Sequence, residues 1–327
     1  MTTRYVGVYD LSMGGFRVIA LLATFNERRF IGPCLEHLHA QGVESYLIDN
    51  GSTDETIEIA EEFLDRGLIG IEHLPREGVF NLRTQLRRKE ELARELDADW
   101  FIHVDADEVR LPPRGRGTLQ KALVEVDRQG YNAVNFLEFT FVPTREEPDH
   151  DHHEFRRSLR TYYPFCPSYP HRLNAWKASA AAKPDLASTA GHRVAFPEIR
   201  MYPQSFPVKH YLFLSIPHAI EKFVERGFDL DEVKSGWHGW RVDVTAEGLR
   251  LPSEAELRVT HSDGDLDPRD PRRRHYVEDL LASAHREHDD FNRDLGRDQA
   301  AESRQAPINF AMSAAGSRSR RSGSSRL

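Results

Sequence analysis

Four apolar runs of strand length alternate with helical patterns in the first third of the chain. The runs lie at residues 18–23, 46–49, 68–73 and 100–104, and apolar residues recur at helical spacing in 30–40, 57–67 and 82–96. The run from Val18 to Ala23 is continuously apolar, which is typical of a strand buried on both faces of a sheet. Strands that alternate with helices form βαβ units, so the pattern predicts an α/β fold with a mainly parallel sheet flanked by helices.

The periodicity weakens beyond residue 110. Residues 133–141 and 208–214 have strand patterns, and residues 217–226 have a helical pattern. Residues 143–190 are rich in Pro, His, Tyr and Arg, which predicts long loops around an open site. We expect a smaller, mixed region here. On the earlier helix at 82–96, the spacing places the charged run Arg87-Arg88-Lys89-Glu90 largely outward.

Three polar turns follow strands of the predicted sheet. They lie at residues 24–28, 49–54 and 105–108. In open α/β sheets, ligands bind beyond the carboxyl ends of the strands, and all three turns belong to that edge. Their convergence predicts a ligand site there more strongly than any one of them does alone.

The third turn contains Asp105-Ala106-Asp107-Glu108 directly after an apolar strand. Strand side chains repeat with period 2, so Asp105 and Asp107 point the same way and can hold a hard divalent cation through oxygen. The same cation can hold a diphosphate. The alternative is that these acids only form a turn and cap the next helix.

The second turn is Asp49-Asn50-Gly51-Ser52-Thr53-Asp54. Gly51 permits tight backbone geometry, and the residues that follow it can cap the next helix. Asp49 stands at the strand end, where it can accept hydrogen bonds from a base or a ribose. A plain strand–turn–helix connection is the alternative.

Composition excludes several classes of function. The chain has 327 residues, a formal net charge of −8, 39% hydrophobic and 29% charged residues, which fits a folded protein that binds no nucleic acid. Cys34 and Cys166 give neither a disulfide framework nor zinc-site spacing. The first thirty residues lack a signal-peptide pattern, so we expect a cytoplasmic protein. Residues 296–327 form a Ser/Arg-rich tail that is predicted to be disordered and whose basic charge suits peripheral contact with the inner face of a membrane.

Three motifs together resemble family 2 glycosyltransferases. They are Ala23-Thr24-Phe25-Asn26-Glu27, Leu47-Ile48-Asp49-Asn50-Gly51-Ser52-Thr53-Asp54, and Asp99-Trp100-Phe101-Ile102-His103-Val104-Asp105-Ala106-Asp107-Glu108. The resemblance covers residues 16–230 and is most secure over 16–110. It implies one GT-A domain at 1–295, with a nucleotide-sugar-binding half (16–110) and an acceptor-binding half (111–295).

The resemblance also implies an activity. It is that of an inverting transferase of hexosyltransferase type, which uses Mn²⁺ or Mg²⁺ and a nucleotide-diphosphate sugar as donor. The acceptor is a hydroxyl group of a saccharide, a lipid-linked molecule or a small molecule.

The resemblance assigns roles to several residues of this chain. Thr24, Asn26 and Glu27 line the nucleotide pocket, and Asp49 contacts the base. Asp105 and Asp107 meet the ribose and the metal-bound diphosphate, because a cation there neutralises the charge of the leaving group. Arginines between the third strand and the next helix are candidates to pair with phosphate, with a solvated surface position as the alternative. They are Arg76, Arg83 and Arg87.

The remaining roles fall in the second half of the chain. Segments that resemble the His-bearing segments of metal-dependent members make His210 our choice for a third metal ligand, and His192 the second choice. An inverting mechanism needs a general base, and the acidic pair typical of the family is absent between residues 130 and 200. Glu138 lies among apolar residues, so burial is expected to raise its pKa and suit it to that role. A structural role for Glu138, or Asp185 or Glu154 as the base, are the alternatives.

Two rival functions remain. A sugar-phosphate nucleotidyltransferase would also place carboxylates around a metal and a phosphate, but such enzymes carry a Gly-rich basic loop where this chain has Thr24-Phe25-Asn26-Glu27. A catalytically idle carbohydrate- or nucleotide-binding protein of the same fold is the other rival. The unplaced base favours it, and the intact acidic pair opposes it.

Overall fold

A computed structural model describes residues 4–6, 15–76 and 78–279. Its strands are β1 Arg4–Val6, β2 Val18–Thr24, β3 Glu44–Asp49, β4 Leu68–His73, β5 Trp100–Val104, β6 Glu108–Arg110, β7 Ala133–Phe141, β8 Thr161–Phe165, β9 Arg172–Lys177, β10 Phe206–Tyr211 and β11 Arg258–Val259. Its α-helices are α1 Ile31–Ala40, α2 Thr56–Glu61, α3 Leu82–Glu95, α4 Leu119–Arg128, α5 Phe155–Ser158, α6 Ile216–Ala219 and α7 Leu230–Lys234. A π-helix, Ile220–Val224, follows α6.

Residues 18–104 form the parallel part of one sheet, in the order β4-β3-β2-β5. β1 adds to β4 in antiparallel orientation. In this register Thr24 lies beside Asp49, and Leu22 lies beside Val104, so the carboxyl ends of β2, β3 and β5 meet at one edge. The predicted α/β fold with a mainly parallel sheet is confirmed, and the three polar turns lie along that edge.

Residues 108–259 continue the same sheet beyond β5, with strands in mixed orientation. β9 runs antiparallel to β5 and β7, β10 runs parallel to β7, and β6 closes this end of the sheet against β10. β8 pairs with β7 and β11. In this register His210 lies opposite Glu108 and beside Thr140, which brings β10 next to the acidic turn.

Helices cover both faces of the sheet. The apolar faces of α1, α2 and α4 pack on one face, and α3 packs on the other with Phe101 and Trp176. Residues 18–22 of β2 are at most 1% exposed, which explains their unbroken apolar run. Asn81 begins α3 by accepting a hydrogen bond from the backbone of Thr84 at 2.9 Å, as capping chemistry predicts.

Several sequence predictions for the second half are wrong in detail. Residues 143–190 contain α5, β8 and β9 rather than only long loops. These strands are short and pair with β7, which is distant in sequence, so local periodicity does not reveal them. The strand predicted at 208–214 ends at Tyr211, and the helix predicted at 217–226 changes from α to π geometry at Ile220.

Two further points concern the chain as a whole. Among the described residues, the helices are all too short or too polar to cross a bilayer. The tail predicted at 296–327 lies outside the described residues.

Candidate active site

A cleft of about 1200 Å³, its open mouth included, lies at the carboxyl edge of the parallel strands. The turns after β2 and β5 form one wall, and α3 forms another. The second half of the chain closes the cleft with β10, the turn at residues 190–192 and the segment that follows α6. The charged and imidazole side chains that line it are Glu27, Lys89, His103, Asp105, Asp107, Arg172, His192, His210, Lys222, Arg226, His238 and Arg241.

The turn after β3 is held together by its own side chains. Asp49 is 5% exposed and accepts hydrogen bonds from the backbone of Gly51 and Ser52, each at 3.1 Å. Gly51 has φ +79°, and a Cβ there would lie 3.3 Å from that of Arg76, so the turn requires glycine. His73 Nδ1 lies 3.2 Å from the Asp49 carboxylate. Asp49 therefore stands behind the cleft wall, next to the half-exposed ring of His73.

The turn after β2 is locked to the same segment. Asn26 Oδ1 accepts a hydrogen bond from the backbone of Thr53 at 2.8 Å, and the backbone of Glu27 donates to Thr56 Oγ1 at 2.8 Å. Thr24 is buried at the end of β2, and its hydroxyl has no hydrogen-bond partner among the described residues. These bonds hold the first two motifs together, and Ala23, Phe25 and Glu27 of the first motif line the cleft.

Asp105 and Asp107 both line the cleft but differ in environment. The Asp105 side chain is 48% exposed, and its carboxylate lies 4.0 Å from His103 Nε2. Asp107 is 7% exposed, and its Oδ2 lies 2.5 Å from Lys222 Nζ and 3.4 Å from His210 Nε2. Burial acts to raise the pKa of Asp107, but Lys222 and His210 hold it well below its usual range. Asp107 is thus a buried, ionised carboxylate.

His210 links the acidic turn to Glu138. Its Nδ1 lies 2.7 Å from Glu138 Oε1, while its Nε2 faces Asp107. Burial alone would lower the pKa of His210, but Asp107 and Glu138 together raise it to about 9. His192, the second-choice ligand, lines the cleft and stacks on His171 at 5.0 Å between ring centroids. Partial desolvation of the ring by the cleft and the charge of Arg172 lower the pKa of His192 to about 3, so its ring is neutral.

Glu138 is buried behind the cleft rather than exposed in it. It is 2% exposed, accepts a hydrogen bond from Arg172 Nε at 2.8 Å, and has His171 Nε2 at 3.6 Å. Burial acts to raise its pKa, but Arg172 and His210 outweigh burial and place it well below 4.5. The expectation that burial raises this pKa is therefore wrong, because the positive partners come from distant strands. Of the alternatives, Asp185 accepts a hydrogen bond from the backbone of Ser188 at 2.9 Å, and the exposed Glu154 accepts one from Arg157 at 3.1 Å. Neither residue lines the cleft.

Lys89 also departs from the sequence prediction. It is 1% exposed instead of facing outward, and its ammonium contacts His103 Nδ1 at 2.9 Å and the carbonyl of Val104 at 3.1 Å. Burial lowers its pKa to about 8. The β5 strand end supplies both partners, so Lys89 belongs to the floor of the cleft.

The predicted phosphate-binding arginines lie elsewhere. The Arg83 guanidinium stacks on Trp237 at 4.7 Å, Arg87 is exposed, and neither lines the cleft. The Arg76 guanidinium lies 3.7 Å from the ring centroid of Phe25. Sequence reasoning missed the cations that do line the cleft, among which Lys222 and Arg226 were detectable as basic residues four apart on one predicted helix.

No group of three His, Cys, Asp or Glu side chains within the described ranges is arranged to hold a metal ion by itself. Asp107 and His210 nevertheless face each other, and Glu138 binds the far nitrogen of the imidazole. A carboxylate behind a histidine is the usual support of a metal-ligating imidazole. Mg²⁺ commonly takes only one or two protein carboxylates and completes its shell with substrate phosphates and water. The donor set therefore fits a cation that is bound together with a diphosphate.

Glu27 provides a test of the cleft's electrostatics. Burial is the largest influence on Glu27 and raises its pKa from 4.5 to about 7, although Lys222 lowers it in part. The contribution of Glu27 to stability is therefore fully present below pH 4.5 and is lost as the pH rises through about 7. Glu27→Gln should increase the free energy of unfolding by about 3 kcal/mol at pH 8 and leave it nearly unchanged at pH 4.

Urea unfolding of Glu27→Gln at the two pH values measures this difference. The exposed Glu61 on α2 supplies a matched control, since Glu61→Gln should change stability little at either pH. An equal effect of Glu27→Gln at pH 4 and pH 8 would contradict the raised pKa.

Comparisons with known proteins give one family match. The model described as "Glycosyl transferase family 2" matches residues 20–166, a little under half of the chain, and confirms the resemblance that the three motifs predict. No match is found among curated proteins.

Solved structures show weaker similarity. S. aureus TarS is 14% identical over 64% of this chain and 38% of its own length, with a TM-score of 0.38. TarS 1–349 in complex with UDP is 14% identical over 71% of this chain and 76% of its own length, with a TM-score of 0.40. The third structure is the mannosyltransferase PcManGT from Pyrobaculum calidifontis in complex with GDP-Man and Mn2+. It is 15% identical over 64% of this chain and 63% of its own length, with a TM-score of 0.35. This chain thus spans well under half of full-length TarS, and similarities of this size carry no argument about substrate or metal.

Proposed function

Because residues 20–166 are a glycosyl transferase family 2 region, we propose that this chain transfers a sugar from a nucleotide-diphosphate sugar to a hydroxyl acceptor with inversion at the anomeric carbon. The nucleotide part of the donor binds to residues 16–110. We assign acceptor binding to residues 111–295, of which the structure describes residues 111–279.

One observation carries the proposal: Asp105 and Asp107 line a cleft that also contains three basic side chains. Lys222 and Arg226 reach it from one side, and Arg241 from another. A nucleoside diphosphate leaving group carries concentrated negative charge, and preorganised cations aimed at that charge stabilise the transition state. A cleft of this kind suits a diphosphate better than a neutral sugar alone.

We assign the motif residues different roles in donor binding. Thr24, Asn26 and Asp49 shape the turns against which base and ribose rest, and Glu27 and Asp105 offer carboxylates to the ribose hydroxyls. Arg83 and Arg87 do not line the cleft, so we assign phosphate contact to Lys222, Arg226 and Arg241 instead.

Asp105, Asp107 and His210 would hold Mn²⁺ or Mg²⁺ jointly with the donor. When bound, such a cation neutralises the diphosphate as it leaves, without proton transfer. Glu138 fixes the orientation of His210 and Arg172 from behind the cleft. We therefore assign Glu138 to positioning rather than to proton abstraction from the acceptor.

A donor panel tests this function. The protein with Mn²⁺ and a series of UDP- and GDP-sugars should release nucleoside diphosphate slowly from one donor, and faster with a hydroxyl acceptor. Proton NMR of the product should show the anomeric configuration inverted. Chelation with EDTA should remove the release, and Mn²⁺ should restore it.

The same panel separates the rivals. Pyrophosphate release from a nucleoside triphosphate and a sugar phosphate would identify a nucleotidyltransferase. Tight nucleotide-sugar binding without turnover on any acceptor class would favour an idle binding protein. Activity unchanged by EDTA would refute the metal assignment alone.

A further inference from the structure

The ammonium group of Lys222 forms an ion pair with Oδ2 of Asp107, a residue that lines the cleft. Lys222 Nζ lies 2.5 Å from Asp107 Oδ2 and donates a second hydrogen bond to the carbonyl of Leu212 at 3.0 Å. The Lys222 side chain is only 10% exposed, so this is a largely buried ion pair rather than a surface contact.

The backbone fixes Lys222 in this position. It is the central residue of the π-helix Ile220–Val224, a rare geometry that occurs mostly as single turns and often at functional sites. The preceding helix α6 is capped by Ser215, whose hydroxyl accepts a hydrogen bond from the backbone of His218 at 3.2 Å. Phe223 anchors the segment in the core at 4% exposed. The widened turn thus presents Lys222 to the cleft while its neighbour stays buried.

The ion pair conflicts with a metal ion at Asp107. Asp107 Oδ2 already has Lys222 Nζ at 2.5 Å and His210 Nε2 at 3.4 Å. A divalent cation at this oxygen would lie within a few ångströms of the ammonium group, in a site where water screens like charges poorly. The ammonium must therefore leave before a cation can bind Asp107 closely.

A diphosphate provides the new partner. Lys222 lines the same cleft as Asp105 and Arg226, so phosphate oxygens bound there lie within reach of its long, flexible side chain. An ammonium that moves from a carboxylate to a phosphate oxygen keeps a charge-assisted hydrogen bond throughout. The exchange therefore does not leave a buried charge unpaired.

We propose that Lys222 makes metal binding depend on the donor: it neutralises Asp107 in the donor-free protein and moves to the diphosphate when donor and cation bind together. This inference rests on the proposed function, because it requires a nucleotide-diphosphate donor and a divalent cation in this cleft. It predicts that the protein has little affinity for the cation alone.

Mn²⁺ binding, followed by the EPR signal of free Mn²⁺ and corrected with protein-free samples for the Mn²⁺ that free nucleotide binds, tests the exchange without any measurement of activity. Wild-type protein should bind Mn²⁺ at least about fivefold more tightly with saturating UDP or GDP than without nucleotide. Lys222→Met should bind Mn²⁺ without nucleotide at least about fivefold more tightly than wild type, since Asp107 is then free. Lys222→Arg keeps the charge and should behave like wild type.

Lys234 supplies a matched control. It is an exposed lysine that is paired with Asp231 at 3.0 Å on α7, and Lys234→Met should leave Mn²⁺ binding unchanged. Equal Mn²⁺ affinity of wild type with and without nucleotide would overturn the exchange while leaving metal dependence intact. Absence of Mn²⁺ binding in every variant, nucleotide included, would overturn the metal assignment itself and the exchange with it. Because the diphosphate itself supplies oxygen ligands to Mn²⁺, the nucleotide-free comparison decides the role of Lys222. Lys222→Gln serves in place of Lys222→Met if that variant does not fold, and nucleotide-free Mn²⁺ affinity equal to wild type in the folded variant would overturn the exchange.

Discussion

Glu138→Leu is expected to lower the free energy of unfolding by about 4 kcal/mol at pH 7, the range found when one partner of a buried ion pair is removed. Glu138 contacts three cationic or imidazole groups: Arg172 of β9 at 2.8 Å, His210 of β10 at 2.7 Å and His171, which precedes β9, at 3.6 Å. Leucine fills a similar volume but leaves Glu108, at 3.5 Å, as the ion-pair partner of Arg172 within the part of the chain that the structure describes. Urea unfolding followed by circular dichroism measures the loss.

A second variant separates the two roles considered for Glu138. Glu138→Gln keeps the shape, and a positioning role predicts a shifted pH profile with a modest loss of transfer rate. A general base predicts a loss of about 10²–10⁴-fold in kcat. Glu61→Leu, on the exposed face of α2, controls for the change of polarity. Stability of Glu138→Leu within about 1 kcal/mol of wild type would contradict the ion-pair network.

The parallel half of the fold was predictable because its information is local. β2 is buried and apolar up to its last residue, and β3, β4 and β5 are largely buried with mainly apolar sequences, so each strand has a signature of its own. β4 and β5 occupy the predicted residues 68–73 and 100–104, and β7 occupies 133–141. Helix α2 ends earlier than predicted, at Glu61, and the residues up to Gly67 form turns.

The mixed half depends on contacts that periodicity does not encode. β8 and β9 are stabilised by antiparallel pairing with β7, which lies 20 or more residues earlier in the chain. β6 is only three residues long and directly follows the acidic turn. Its pairing with β10 brings Glu108 opposite His210 across about a hundred residues of sequence. A strand defined by such a partner has no local signature of its own.

The same reason explains the wrong pKa expectation. Burial of Glu138 was readable from its apolar neighbours in the sequence, and burial alone does raise the pKa of a carboxyl group. Its partners Arg172 and His210 come from β9 and β10, 34 and 72 residues away. Whether a buried acid is a base or an ion-pair partner is thus decided by the topology of the sheet.

The burial of Lys89 could not be predicted from the sequence for a different reason. Lys89 has charged neighbours on both sides in sequence, so the helix appeared solvated at that point. In the structure the Lys89 side chain is buried beside the carboxyl end of β5, where His103 and the Val104 carbonyl replace water as its hydrogen-bond partners. Long cationic side chains can bury their stems and still reach polar partners, which makes their sequence pattern a poor guide to their exposure.

Asp107→Asn is expected to reduce kcat/KM for sugar transfer by at least about 10³-fold, close to the upper effect of removing one preorganised electrostatic group at a transition state. Asparagine keeps the size of Asp107 but removes the charge that Lys222 and His210 share.

Steady-state release of nucleoside diphosphate from the donor identified in the panel measures the effect. Asp97→Asn, in the exposed loop before β5, is the matched control and should transfer at the wild-type rate. Asp105→Asn should lose less than Asp107→Asn, because the Asp105 carboxylate is half exposed and has no partner closer than 4.0 Å among the described side chains. Transfer by Asp107→Asn within tenfold of wild type would show that the reaction does not depend on this carboxylate, and would move the diphosphate site away from the carboxyl end of β5.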